Sequence, residues 1–156
     1  MDRWMKKILA PTDLSELSQA GVRYALDLAR MVGAEVTVYH VVGVDELMHY
    51  DLLRPLDQIL EKYRMALDHF LQEHFADLLP LVETRTKVEL GTPDDNIVHE
   101  AKKQGTDLIV ISTHGRTGLS HMLVGSVTER VVRHASCPVL SIRPESREKQ
   151  PIEAAA

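Results

Sequence analysis

Between Ser112 and Ser126 the chain reads "STHGRTGLSHMLVGS", a run dense in glycine, hydroxyl and imidazole groups. It follows the apolar "DLIVI" and leads into "VTERVVRHA", whose apolar residues recur at helical spacing. A helix start carries unpaired N–H donors and about half a unit of positive charge. It holds an anion where the backbone can come close and no acid intrudes. Gly125 lacks a Cβ, Ser126 offers a hydroxyl, and the first acid, Glu129, lies a turn further in. Gly115 and Gly118 let the loop fold back beside that start, where His114 and Arg116 add donors. Ser112 and Thr113 supply hydroxyls at the strand end. The chemistry these residue types suit is phosphate binding. Each also has a plain structural reading: Gly115 and Gly118 as turn glycines, Gly125 as a packing glycine, Ser126 as an N-cap.

The elements that must position this loop follow from hydrophobic pattern. Four short apolar runs do not alternate: "KILAP" (Lys7–Pro11), "EVTVYHVV" (Glu35–Val42), "LIVIS" (Leu108–Ser112) and "PVLSIR" (Pro138–Arg143). Such runs mark strands buried on both faces, hence a parallel sheet covered by helices. A fifth run, "VETRTKVEL" (Val82–Leu90), alternates more and belongs at a sheet edge. Helices are predicted over Glu16–Val32, stopped by Gly33, and over Pro55–Leu79, with Leu56, Ile59, Leu60, Tyr63, Leu67, Phe70, Leu71 and Leu78 on one stripe. A third, Pro93–Gln104, opens as a capping box with Thr92 as N-cap and Asp95 three residues on. Its first turn already holds Asp94 and Asp95, so a phosphate is not expected there. The last helix is predicted from Ser126 to His134.

Alternating strands and helices give a single-domain α/β fold: a doubly wound five-stranded parallel sheet with strand order 3-2-1-4-5. The order reverses between strands 1 and 4, and ligands bind at the carboxyl ends of the strands at such a switch. The segments meeting there are "PTDLS" (Pro11–Ser15) and "STHGRTG". The connection Gly43–Arg54 is long enough to be either a lid or a plain surface loop.

Composition narrows the function classes. The 156 residues suit one domain, residues 1–144, followed by a polar tail, 145–156, expected to be flexible. A formal net charge of −5 argues against nucleic acid or an anionic membrane as partner. No apolar run approaches a membrane span or a signal peptide, and a lone cysteine, Cys137, excludes an intrachain disulfide and fits a reducing cytoplasm. The eight histidines show neither HExxH nor helical pairing suited to a metal, and His40 reads as packed or capping. No P-loop is present, and "PTDLSEL" stands where a glycine-rich dinucleotide turn would follow the first strand. A phosphoryl-receiver reading fails, because Gly91 stands where the acceptor aspartate would be needed.

In order along the chain, "KKILAPTDLSELSQAGVRYAL", "VYHVV", "GTPDDNIV" and "GSVTERVVRHASCPVLSIR" resemble the universal stress protein family over roughly Lys6 to Arg143. Nucleotide-binding members carry Gly, two residues, Gly, nine residues, Gly and then Ser or Thr. Here Gly115, Gly125 and Ser126 match, and Ser112 replaces the first glycine. The resemblance implies a Rossmann-like adenine-nucleotide fold holding ATP with Mg or Mn. It places Pro11, Thr12, Asp13 and Val41 around adenine and ribose. Gly115, Gly125, Ser126 and their neighbours Ser112, His114, Arg116, Gly118 and Val127 fall around the phosphates. Asp13 would accept from ribose or face the divalent ion; its plain reading is an N-cap of the first helix. Serine at 112 is expected to weaken or alter binding without abolishing it. The family commonly pairs its last strand, here Val139, Leu140, Ser141 and Ile142, into a homodimer. The implied function is a dimeric stress or signalling protein whose unknown protein partner is chosen by bound nucleotide. The alternatives are a dimeric interaction module with an empty loop, and a slow ATPase. No residue is placed as a clear base for water, so an enzyme is not favoured.

Overall fold

The structure, a computed structural model, describes residues 4–49, 53–115 and 124–144. Its elements in chain order are β1 (Lys7–Pro11), α1 (Gln19–Val32), β2 (Glu35–Val42), α2 (Val44–Leu47), α3 (Leu56–Phe75), a 3₁₀ turn (Leu79–Leu81), β3 (Thr84–Leu90), α4 (Pro93–Gln104), β4 (Leu108–Ser112), α5 (Ser126–His134) and β5 (Val139–Ile142). The sheet has five parallel strands in the order β3-β2-β1-β4-β5, as the sequence predicts. The alternating run β3 is indeed an edge, and β5 is the other.

Burial explains the two-sided winding. Successive strand residues point to opposite faces. Ile8, Val36, Val38 and Val110 face Val22 and Leu26 of α1 and Leu67 and Phe70 of α3. Leu9, Tyr39, Ile109 and Ile111 face Ile97 and Ala101 of α4 and Val131 of α5. All five residues of β4 are buried, which is why that strand carries no polar alternation. Helices α1 and α4 end at Gly33 (φ 72°) and Gly105 (φ 65°), each in the left-handed region that glycine enters without a Cβ penalty.

Several local expectations are corrected. Helix α1 starts at Gln19 and not at Glu16, because hydroxyls and Asp13 hold residues 12–18 in turns. Helix α3 stops at Phe75; Leu56 of the predicted stripe is exposed, while Phe75 is buried. Thr92 sits at the N-cap of α4 but its side chain caps nothing. Asn96 replaces the expected capping box: its Oδ1 accepts the Thr92 N–H at 3.1 Å and its Nδ2 donates to Leu90 O at 3.3 Å. The long connection after β2 contains the short helix α2. The C-terminal tail lies outside the described residues.

Candidate functional site

At the carboxyl ends of β1 and β4, where the strand order reverses, a cavity of about 300 Å³ opens. Pro11, Thr12 and Asp13 enter it from β1, Val41 from β2, and Ser112, His114 and Gly115 from β4 and its loop. Gly125, Ser126 and Val127 enter it from the start of α5. The fold therefore brings together ten of the sequence-predicted residues at one wall-to-wall opening. Arg116 and Gly118 lie outside the described residues.

The β1–α1 turn is built by short polar side chains. Thr12 Oγ1 accepts the Leu14 N–H at 3.0 Å and shares a 2.7 Å bond with Ser18 Oγ. Asp13 Oδ1 accepts both the backbone N–H and the hydroxyl of Ser15. Asp13 thus closes its own turn, while Ser18 holds the N-cap position of α1, so the N-cap reading of Asp13 is corrected. Leu14 pays for this turn with a φ of 65°, unusual for a leucine, and packs its side chain against the core.

Two glycines close the opposite wall. A Cβ on Gly115 would collide with Asp13 Oδ2, so glycine lets the loop and the carboxylate lie as close as they do. A Cβ on Gly125 would sit 2.9 Å from Thr113 O, the atom that accepts the Gly125 N–H at 2.6 Å. Gly125 is the N-cap of α5, no side chain caps that helix, and Ser126 is its first helical residue. The N–H groups of Ser126, Val127 and Thr128 belong to the first turn and have no intrahelical acceptor. All three residues line the cavity.

Ser112 behaves differently from the sequence expectation. Its Oγ accepts the Gly21 N–H at 2.8 Å and donates to Ser18 O at 3.3 Å. The hydroxyl that would have served a phosphate is turned into the first turn of α1, which it caps from a neighbouring strand. Ser112 O in turn accepts from Thr128 Oγ1 at 2.8 Å, anchoring α5. His114 Nδ1 lies 2.9 Å from Thr113 Oγ1, which orients the ring on the wall.

Sequence reasoning missed Ser18, Tyr39, Asp45, Glu46, Pro93, Ile97, Ile111 and Thr128, which also line the cavity. Tyr39 is hidden inside an apolar strand, and its face becomes visible only once the register is known. Burial, ahead of the Glu89 carboxylate that accepts its hydroxyl at 3.2 Å, drives its phenol well above the usual tyrosine range. Pro93 and Ile97 belong to α4, whose start is unsuited to phosphate yet supplies apolar surface. Among the described lining residues the charged carboxylates are Asp13, Asp45 and Glu46, and there is no Lys or Arg. The cavity thus has an apolar side (Val41, Pro93, Ile97), an acidic rim and a donor-rich end at α5. It suits a ligand with a flat apolar part, hydroxyls and an anionic end. Cys137 lies away from it, with burial pushing its thiol up, which disfavours the reactive thiolate. No group of His, Cys, Asp or Glu among the described residues is arranged to hold a metal by itself.

Comparison with known proteins agrees with this architecture. The universal stress protein MJ0531 of Methanocaldococcus jannaschii is 34% identical over 148 residues, covering 92% of this chain and 85% of that protein. The solved structure of MJ0577 from the same organism superposes with a TM-score of 0.73 at 28% identity, covering 92% of this chain and 99% of that one. A universal stress protein solved in complex with cAMP superposes with a TM-score of 0.69 at 21% identity, covering 90% and 98% of the two chains, and shares the fold. Residues 5–143 match the universal stress protein family as a whole, and the chain belongs to that family.

Proposed function

We propose that this chain binds an adenine nucleotide, ATP with Mg or Mn, in the cavity at the β1/β4 switch. The observation that carries the reading is the uncapped start of α5 facing, across one opening, the Asp13 carboxylate and an apolar wall. The phosphates would lie on the N–H groups of Ser126 and Val127, with Gly125 allowing close approach. Asp13 would accept from the ribose hydroxyls or face the divalent ion, and Val41, Pro93 and Ile97 would flank the base. A related fold crystallised with cAMP supports the adenine part of this reading. Arg116 and Gly118, outside the described residues, would complete the phosphate end.

Asp13 is engaged with Ser15, so the reading is binding and not turnover. The edge strand β5, with Val139, Leu140 and Ile142 only partly buried, would pair with a second copy. The result would be a dimeric stress or signalling protein of the cytoplasm whose protein partner is selected by nucleotide. Among the described residues no helix is long and apolar enough to cross a membrane.

The test is thermal unfolding with ATP and Mg²⁺. A ligand at about 100 times its dissociation constant stabilises the fold by about 2.7 kcal/mol. A saturable rise in Tm with ATP supports the reading. No rise at millimolar ATP, with the fold intact, favours the interaction module whose loop is empty.

A further inference from the structure

Helix α4 supplies apolar wall to the cavity through Pro93 and Ile97. Its own seam with the sheet is poor in apolar side chains: of its residues only Ile97, Glu100 and Ala101 are buried. Glu100 is thus a carboxylate, 2% exposed, set between two apolar neighbours. Its Oε1 accepts from Lys87 Nζ of β3 at 2.9 Å and from Gln104 Nε2, one turn on. Gln104 Oε1 accepts in turn from Thr37 Oγ1 of β2 at 3.4 Å. The Lys87 ammonium also meets Glu89 Oε1 at 2.7 Å, and Glu89 Oε2 accepts the Tyr39 hydroxyl at 3.2 Å. Tyr39 pairs with Lys87 in the β2–β3 register and lines the cavity. Further polar ties hold the ends of α4: Asn96 Nδ2 donates to Leu90 O, Asp94 lies 3.8 Å from Arg130, and Lys7 Nζ donates to Gln104 O.

Stability does not account for the Lys87–Glu100 bond. Taking a carboxylate out of water costs about what its attraction to the ammonium returns. Replacing both partners of such a pair by apolar residues of similar size leaves stability unchanged or raises it, whereas removing one strands the other. What the bond adds is direction. Apolar contact is non-directional, and Ile97 and Ala101, one turn apart on a single stripe, do not fix the roll of the helix about its axis. Lys87 stands on a strand locked in register with β2, so its ammonium meets Glu100 at one roll angle only. Pro93, Ile97 and Glu100 follow the i, i+4, i+7 spacing of one helical face. The angle that seats Glu100 therefore also turns Pro93 and Ile97 to the opening.

We propose that Lys87 and Glu100 are positioning residues for the cavity: their bond fixes the roll of α4, and with it the apolar wall on which a flat ring lies. Neither side chain lines the cavity, so both act through Pro93 and Ile97. The consequence for a ligand rests on the reading of this cavity as the nucleotide site. The consequence for α4 does not, and it is measured in the free chain.

The decisive variant is the double replacement Lys87→Met with Glu100→Met in the full chain, which keeps unbranched side chains and removes both charges. Its urea midpoint should equal or exceed that of the wild type. In ¹³C-methyl NMR of the free protein, Ile97 should give one sharp resonance in the wild type and a broadened or multiple one in the double variant. Affinity for Mg-ATP, by isothermal titration, should fall by at least about tenfold. Glu100→Gln is the conservative control: its amide oxygen still accepts from Lys87, so Ile97 should stay single and affinity should change less than about threefold. A double variant that loses stability would make the pair an ordinary structural bond, and one with a single, unshifted Ile97 methyl would show that apolar packing sets the roll; either overturns the proposal. Wild-type ATP affinity beside a broadened Ile97 overturns it as well. No ATP binding by the wild type would defeat the nucleotide reading alone, and the Ile97 result would still decide the role of the pair.

Discussion

Ser112 Oγ accepts the backbone N–H of Gly21 at 2.8 Å across 91 residues of sequence, joining the end of β4 to the first turn of α1. The bond explains why serine is accommodated where nucleotide-binding relatives are expected to have glycine. Its hydroxyl points into the scaffold, and the end of the cavity at α5 keeps its glycines at 115 and 125. The expectation that Ser112 adds a phosphate donor gives way to a structural role at a helix start.

Ser112→Ala should therefore act on stability first. Removing a buried cap of an orphan helix N–H costs about 1–2 kcal/mol. Denaturant unfolding should show a lower midpoint at unchanged slope, with ATP affinity altered less than about threefold, below 0.7 kcal/mol. Full stability with a large loss of affinity would make the hydroxyl a ligand after all.

Gly115→Ala should do the reverse. Its Cβ would collide with Asp13 Oδ2, so the loop and the carboxylate must separate. The loop is at the surface end of the sheet, so the unfolding midpoint should change little. ATP affinity should fall by at least about tenfold, roughly 1.4 kcal/mol. Isothermal titration of both proteins checks the split.

The scaffold face under α3 is tested by Leu67→Ala. Leu67 is fully buried in the cluster that includes Phe70, Val36 and Val110. A cavity at such a site costs about 2–5 kcal/mol. Urea unfolding should report it, and a cost below about 1 kcal/mol would mean that α3 is loosely held.

A pH effect is expected from Lys87 and Glu89, whose ion pair is 2.7 Å long with side chains about a third exposed (31% and 34%). The bond to Lys87 holds the Glu89 carboxyl below the usual carboxylate range, and the bond to Glu89 holds the Lys87 ammonium above its usual range. A depressed carboxylate stabilises above its unfolded value, and that contribution is lost as pH falls through the folded one. A raised ammonium stabilises below its unfolded value and loses its contribution as pH rises through the folded one. Partial exposure limits the effect to about 0–1 kcal/mol. Lys87 also bonds the buried Glu100 at 2.9 Å, so the variant that isolates this pair is Glu89→Gln, and urea midpoints of wild type and Glu89→Gln should diverge at neutral pH and converge in acid.

Fold and site were unequally legible in the sequence. The non-alternating runs at β1, β2 and β4 imposed a two-sided parallel sheet, and with it the switch beside Asp13 and Gly115. The start of α5 was readable because Gly125 precedes a helical rhythm whose first three residues, Ser126, Val127 and Thr128, carry no acid. What escaped depended on tertiary direction. Tyr39 and Ile111 read as core residues, and only register shows that both reach the opening. Glu46 sits in a connection without periodicity, and its bond to His40 needs the fold. Asn96 displaced the capping box because its amide serves two backbone groups at once, where Thr92 could serve one.

The most direct test of the central claim is an NMR titration of the ¹⁵N-labelled chain with Mg-ATP. The account requires saturable shifts at the amides of Ser126 and Val127, together with Asp13 and Gly115, on a common binding curve. Saturable shifts confined to other parts of the surface, or none at millimolar nucleotide, would contradict it and leave the loop as a turn.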